Sequence, residues 1–134
     1  MYVLDTNVIS AVRRPDRAPQ VAAWLADKQE SDLFLSVITL GEIERGISQQ
    51  RTRNPQFASD LQIWLDRTLM IFADRVLPFG AAEARIWGRL SQKVGHGGAD
   101  LMIAATALTR EATIVTGNTA DFAPTGVRLI DPYV

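Results

Sequence analysis

Four carboxylates lie at positions of the sequence where metal-dependent phosphoryl chemistry could use them. Asp5 directly ends the apolar run Tyr2–Leu4, and Glu42, Asp100 and Asp121 lie near the starts of later predicted helices or loops. In parallel α/β proteins, ligands bind outside the carboxyl ends of the strands. Carboxylates that meet there repel one another and need a cation, and oxygen ligands favour Mg²⁺ or Mn²⁺. Two such ions, roughly 3.5–4 Å apart, can activate a water for in-line displacement at a phosphodiester.

The first two acids also have structural interpretations. Asp5 is followed by a predicted helix, and Asp is a favoured helix N-cap. Glu42 can complete a capping box with Thr39 as the N-cap, or it can pair with Arg45 one turn along the helix. Taken singly, each acid can therefore be explained by helix capping or an ion pair, without a metal site. The case for a site rests on all four together.

The other two acids are weighed in the same way. Asp100 opens a nearly all-apolar helix, where an acid stabilises the helix dipole by only about 0.3–1 kcal/mol. Asp121 lies in a loop rich in Asn and Thr, where an Asx-turn is an alternative. Gly41 and Gly46 flank Glu42 inside a helical pattern, and each costs about 1 kcal/mol relative to Ala. We expect them to mark a close approach to this helix.

Composition narrows the classes of site. The chain has no cysteine and a single histidine, His96, in 134 residues, which excludes thiolate and histidine-rich zinc sites. The lack of cysteine and of any apolar run of roughly 18 residues predicts a cytoplasmic protein without a membrane span. The net charge of −1 offers no broad basic surface for nucleic acid. Arg13 and Arg14 follow the first helix, and they are candidate phosphate contacts.

Short apolar runs alternate with helical patterns along the whole chain. This alternation predicts a single α/β domain over residues 1–134, with a central, mostly parallel five-stranded sheet covered by helices on both faces. Pro78 places the third strand at an edge of the sheet. The predicted strands are Tyr2–Leu4, Leu33–Val37, Arg75–Phe79, Thr113–Thr116 and Val127–Ile130. The predicted helices are Val8–Val12, one after Pro19, one from Thr39 through Ile47, Pro55–Phe72, Ala81–Gln92 and Ala99–Arg110.

Aromatic and apolar side chains are frequent on the helices after Pro19 and Pro55. Trp24, Trp64 and Leu65 exceed what one small sheet needs, and we expect them to form a surface for self-association and for a partner protein. Ordinary core packing is the alternative, because amphipathic helices normally bury such residues.

Four ordered segments resemble those of the PIN-domain toxins of the VapC type, and within these the FitB-like subgroup. The segments are Leu4–Ser10 (LDTNVIS), Ser36–Ile43 (SVITLGEI), Asp100–Ala107 (DLMIAATA) and Thr116–Phe122 (TGNTADF). The resemblance covers essentially the whole chain, and four segments in order are far more specific than one acidic motif.

This resemblance implies a PIN-like α/β/α fold and a Mg²⁺- or Mn²⁺-dependent endoribonuclease that cleaves RNA. Such a protein is the toxin of a type II toxin–antitoxin system, is inhibited by a cognate antitoxin encoded beside it, and is usually a homodimer. The acidic residues of the family map onto Asp5, Glu42, Asp100 and, less uniformly, Asp121. The residues implied to orient ligands or water are Thr6 or Asn7, Ser36 and Asn118. The family often has Arg where this chain has Gly117.

Two other classes of function remain open at the level of sequence. A metal-dependent small-molecule phosphatase or phosphotransferase would use similar acids, although Asp5-Thr6-Asn7 lacks the second acid of an acid-x-acid pair. A non-catalytic binding module would keep the fold, but the three intact acids Asp5, Glu42 and Asp100 argue against it. Fold alone does not separate these classes.

Overall fold

A five-stranded sheet forms the centre of the computed structural model, which describes residues 1–134. Every strand pair is parallel, and the order across the sheet is β3-β2-β1-β4-β5. The strands are β1 (Tyr2–Leu4), β2 (Leu33–Ser36), β3 (Val76–Leu77), β4 (Thr113–Val115) and β5 (Arg128–Ile130). Because all strands run the same way, their carboxyl ends meet at one side of the sheet, which we call the carboxyl edge. The predicted α/β class is confirmed.

Helices cover both faces of the sheet. They are α1 (Thr6–Val12), α2 (Pro19–Ala26), α3 (Val37–Arg53), α4 (Pro55–Phe72), α5 (Ala81–Val94), α6 (Ala99–Leu108) and α7 (Thr119–Phe122). Neighbouring strand residues point to opposite faces. Val3 and Ile114 therefore join the core cluster beneath α5 and α6, whereas Leu4 and Val115 join the cluster beneath α1 and α2. The result is a three-layer α/β/α arrangement.

Prolines set the starts of two helices, as the sequence predicts. Pro19 and Pro55 occupy the first helical positions of α2 and α4, where the missing N–H leaves no helix bond unmade. The side chain of Asn54 accepts a hydrogen bond from the Phe57 N–H and caps α4. Pro78 directly follows β3, and β3 is an edge strand as predicted.

The predicted start of α3 is wrong. Thr39 does not cap this helix, which begins two residues earlier, at Val37. The Ser36 hydroxyl accepts a hydrogen bond from the Ile38 N–H at 3.0 Å and serves as the N-cap. Thr39 is instead fully buried inside the first turns. With Thr39 inside the helix, Glu42 cannot close a capping box and its carboxylate is free for another role.

The two glycines of α3 do not mark a close approach within this chain. A Cβ atom built on Gly41 or Gly46 would meet no other atom within 4 Å. The expectation from sequence is therefore wrong for contacts inside the molecule.

The residues expected at a surface are buried or half-buried and pack onto the core. Leu65 is buried, Trp24 packs edge-on against Tyr2 with ring centroids 5.2 Å apart, and Trp64 packs against two core clusters. These residues therefore follow the alternative of ordinary core packing. The exposed apolar side chains of α4 are instead Ile63, Met70 and Ile71. No helix combines the length and apolar character needed to cross a membrane.

Candidate active site

Asp5 lies at the carboxyl end of the central strand β1 and is the N-cap of α1. Its side chain is only 4% exposed. One carboxylate oxygen, Oδ1, accepts a hydrogen bond from the Thr6 N–H at 2.8 Å, and the other, Oδ2, accepts one from Thr116 Oγ1 at 2.7 Å. Asp5 is therefore both a helix cap and a carboxylate fixed in orientation at the carboxyl edge.

Glu42 reaches the same edge from the second turn of α3. Its Oε1 atom accepts a hydrogen bond from Thr6 Oγ1 at 2.6 Å, and the same hydroxyl lies 3.1 Å from Thr39 Oγ1. No ion pair forms with Arg45. Thr6 thus bridges two of the predicted acids, through its backbone N–H to Asp5 and through its hydroxyl to Glu42.

Burial and like charge act together on Asp5. Desolvation by burial is the largest cause that raises the pKa of this carboxyl above its ordinary value. The hydrogen bonds from Thr116 and Thr6 oppose the rise, and the negative charges of Glu42 and Asp121 add to it. Both acids are therefore close enough for their charge to act on Asp5.

Asp100 shows the same pattern from the first turn of α6. Burial is again the main cause that raises the pKa of its carboxyl, followed by the negative charges of Asp5 and Asp121. His96 opposes the rise. Asp121 itself lies exposed in α7. The four acids therefore form one electrostatic group, with Asp5 and Asp100 at its buried end.

The donor chemistry of this group fits a divalent cation. The side chains present only oxygen atoms, which suit Mg²⁺ or Mn²⁺. Burial is the main cause of the raised pKa values, and the repulsion between the acids, which a cation would relieve, adds to it. As folded, the carboxylates do not form a compact group of three or more at separations that one ion would span. Metal binding would thus require side-chain adjustment, most easily by exposed Glu42 and Asp121.

The predicted supporting residues divide into two groups. Thr6 makes the contacts described above, whereas Asn7 is exposed and its side chain makes no hydrogen bond within the chain. The buried Ser36 hydroxyl is used in capping α3. Asn118 is exposed, and its backbone N–H donates to Thr116 Oγ1 at 2.9 Å. Thr6 therefore orients acids directly, and Ser36 acts through the start of the helix that carries Glu42.

Sequence reasoning missed Thr116. Its hydroxyl is fully buried, donates to Asp5 and accepts from the Asn118 N–H. The register of β1 and β4 pairs Leu4 with Val115, so the next residue of each strand is also adjacent. Asp5 and Thr116 are each the first polar residue after a buried strand, a signal that becomes usable once β1 and β4 are known to be neighbours.

Comparison with known proteins identifies the family of this fold. A profile of the PIN domain matches residues 2–126. The chain belongs to the PIN-domain family. It is 34% identical to toxin FitB of Neisseria gonorrhoeae over an alignment of 139 positions, which covers 99% of each chain. It is also 34% identical to VapC ribonuclease Y4jK of Sinorhizobium fredii, over 99% of this chain and 98% of that protein. The crystal structure of FitAcB from N. gonorrhoeae superimposes with a TM-score of 0.87, covering 99% of each chain at 34% identity.

A groove leads from the acids of this PIN domain along α1, α3 and α4. Its volume is about 300 Å³, and Thr6, Glu42, Arg13 and Phe57 contribute to its walls. The Arg13 guanidinium carbon lies 5.2 Å from the centre of the Phe57 ring, at cation–π distance. Arg14 is partly exposed and makes no ion pair or side-chain hydrogen bond within the chain. Of the two predicted phosphate contacts, Arg13 is the one directed into the groove.

The glycine that departs from the family pattern has a steric explanation. A Cβ atom on Gly117 would lie 2.8 Å from Cε2 and 2.9 Å from Cδ2 of Tyr133. Such distances are far inside van der Waals contact, so no side chain fits at position 117 while the Tyr133 ring is in place. In this PIN domain an aromatic ring takes the space that the frequent arginine would need.

Proposed function

We propose that this PIN domain is a metal-dependent endoribonuclease and the toxin of a type II toxin–antitoxin system. The observation that carries the proposal is the Asp5 carboxylate, which is buried, held by two hydrogen bonds and faced by other acids, with no Lys or Arg of the chain paired to it. The relatives named toxin FitB and VapC ribonuclease Y4jK, each matched over 99% of this chain, support the choice of RNA and of the toxin role.

The catalytic residues in this proposal are Asp5, Glu42 and Asp100, with Asp121 in a weaker role. They would hold Mg²⁺ or Mn²⁺, which when bound activates water and stabilises the charge that develops on a phosphodiester. Thr6 and Thr116 fix the two oxygens of Asp5. Glu42 and Asp121, being exposed, complete the site from its open side.

The substrate would be positioned by local contacts. A net charge of −1 gives little general attraction for RNA, so specific basic groups must meet the phosphates. Arg13 is suited to this, because its stacking on Phe57 holds the guanidinium in the groove that reaches Glu42. Arg14 is proposed as a second, more peripheral contact. Single-stranded RNA is the substrate form that such a groove would accept.

The partners follow from the toxin role. We propose a cognate antitoxin, a homodimer and action in the cytoplasm, with residues 1–134 folding as one domain. The exposed large apolar side chains on helices are Ile63, Met70 and Ile71 on α4 and Val12 at the end of α1. Val12 and Ile71 also line an apolar cavity of about 320 Å³ between α1, α2 and α4. These are the surfaces that a partner protein would cover.

The deciding experiment is a cleavage assay on the purified chain. Single-stranded and structured RNAs are incubated with Mg²⁺, Mn²⁺, Zn²⁺ or a chelator, beside duplex DNA and a small phosphate ester. We expect RNA cleavage that a chelator stops and that Mg²⁺ or Mn²⁺ restores. Rescue by Zn²⁺ alone would contradict the oxygen-ligand site. Preference for the phosphate ester or for DNA over every RNA would contradict the toxin function.

A further inference from the structure

The segment after β5 turns an aromatic ring back onto the carboxyl edge. Pro132 is buried, and the Tyr133 N–H donates a hydrogen bond to Asp131 Oδ1 at 2.9 Å, which fixes the turn. The ring of Tyr133 then lies against Gly117, which follows β4. This contact requires glycine, as the distances to a Cβ atom at position 117 show.

Core packing does not account for the position of Tyr133. Its side chain is 40% exposed and belongs to none of the core clusters. Its hydroxyl makes no hydrogen bond within the chain. The ring is thus backed on one side by the Gly117 backbone and retains aromatic surface open to solvent.

The ring lies against the residue that follows Thr116, whereas the groove of Arg13 lies along α1, α3 and α4. Gly117 directly follows Thr116, whose hydroxyl donates to Asp5. The strands β4 and β5 lie on one side of β1. The strand β2, which leads into α3, lies on the other side. With strands roughly 4.8 Å apart, the end of β5 is about 10 Å from the end of β1. A polynucleotide leaving the groove of Arg13 and passing the acids would therefore reach Tyr133 next.

We propose that Tyr133, seated on Gly117, is a stacking platform for one base of the RNA on the β5 side of the acids. This proposal rests on the proposed ribonuclease function. Bases of single-stranded nucleic acid stack on exposed aromatic rings, and this stacking needs no charged side chain. In a chain with few basic residues near the site, stacking supplies affinity that charge does not.

The test compares binding of short single-stranded RNA by the intact chain and its variants, in chelator so that the RNA stays whole. A fluorescent adenine analogue is placed at each position in turn, so that quenching reports stacking. We expect Y133A to weaken binding about tenfold and to abolish the quenching. Y133F should bind like the original chain. G117A, which displaces the ring without removing it, should also weaken binding.

Two controls distinguish the loss of base stacking from a nonspecific loss of RNA binding. V134A alters the neighbouring exposed residue and should change nothing. With RNA that is abasic at the quenched position, Y133A and the original chain should bind equally. An equal loss with Y133A on intact and abasic RNA, or no loss at all, overturns the platform.

Cleavage by the same proteins with Mg²⁺ distinguishes this proposal from the proposed function. If the original chain cleaves RNA but Y133A binds as tightly, the platform is wrong and the ribonuclease stands. If Tyr133-dependent quenching occurs but no RNA is cleaved, the platform stands and the ribonuclease is wrong. If the original chain binds no RNA in chelator and cleaves none with Mg²⁺, both are wrong.

Discussion

Two carboxylates of this protein are almost equally buried, and their surroundings differ completely. Glu83, in the first turn of α5, is 7% exposed; Asp5, at the end of β1, is 4% exposed. Glu83 accepts a hydrogen bond from the Gly80 N–H at 2.7 Å, and its other oxygen lies 3.8 Å from Arg110. It therefore has both a backbone donor and a cation, and it ties the start of α5 to the end of α6.

Asp5 has hydrogen-bond donors but no cation from its own chain. Its charged neighbours are acids, and they add to the rise in its pKa that burial causes. The comparison teaches that burial of an acid does not by itself indicate function. The distinguishing feature is the sign of the charges around it: Glu83 is paired with Arg110, whereas the charged neighbours of Asp5 are acids.

The largest expected effect is the loss of RNA cleavage when Asp5, and not Glu83, is replaced. D5N should lower RNA cleavage by at least about a hundredfold, since even residues that only orient metal ligands are typically worth 10–100-fold. Single-turnover cleavage with Mg²⁺ measures it. E42Q and D100N should behave like D5N, and D121N should have a milder effect.

The matched control is E83Q, which alters an equally buried acid outside the site and should leave cleavage unchanged. Unimpaired cleavage by D5N and D100N would remove the proposed assignment. A loss in E83Q as large as that in D5N, with the fold intact, would show that burial alone matters.

The donor to Asp5 provides the next test. T116V removes the hydroxyl that opposes the rise in the pKa of Asp5, so this pKa should rise further. We expect about 10–100-fold slower cleavage, and an acidic limb of the pH–rate profile that moves to higher pH. T125V is the control, because the Thr125 hydroxyl is buried and bonded to Phe122 O away from the acids. A pH profile that does not move in T116V would show a purely structural hydroxyl.

Stability should respond with opposite signs at the two acids. A raised pKa in the folded protein means that the protonated form favours folding. That contribution is present below the unfolded pKa and is lost as pH rises through the folded pKa. At neutral pH without metal, D5N should therefore stabilise the chain by about 0.5–2 kcal/mol, a gain that shrinks in acid.

E83A should instead destabilise the chain by about 1–3 kcal/mol, because it leaves the Gly80 N–H without its acceptor and Arg110 without its ion-pair partner. Urea unfolding at several pH values measures both variants. Added Mg²⁺ should stabilise the original chain and not D5N. Equal destabilisation by D5N and E83A at neutral pH would erase the contrast between the two acids.

The smallest expected effect is on the salt dependence of RNA binding, when Arg13 or Arg14 is replaced. R13A should reduce the slope of log binding constant against log salt by about one, as one lost phosphate contact does. R14A should change it less, because Arg14 lacks the aromatic support that Phe57 gives Arg13. RNA binding across a salt series measures both. Equal slopes for the original chain and the double variant would show that both arginines are only solvated.

The sequence was sufficient for the α/β class and for most element bounds, because these follow from local signals. The apolar runs of β1 and β4 and the prolines that open α2 and α4 are of this kind. At the start of α3, the sequence offers two possible helix N-caps. Ser36 and Thr39 are both good N-caps, and only the end of β2 at Ser36 decides between them.

The site required information that no local pattern contains. Thr6 meets Glu42 across 36 positions of the sequence, and Asp5 meets Thr116 across 111 positions. These pairs depend on β1 being the middle strand between β2 and β4. The acids and Thr6 could be singled out from the sequence, but the Thr116 hydroxyl and the ring of Tyr133 could not.

The central position of β1 also has a consequence during synthesis of the protein on the ribosome. Asp5 is among the first residues made, yet the strand β4 and the hydroxyl of Thr116 that complete its surroundings come 111 residues later. At about 5–20 residues per second, the nascent chain carries Asp5 without its partner for roughly 6–20 s. The surroundings of Asp5 are therefore incomplete until β4 and Thr116 have been made and have folded against β1.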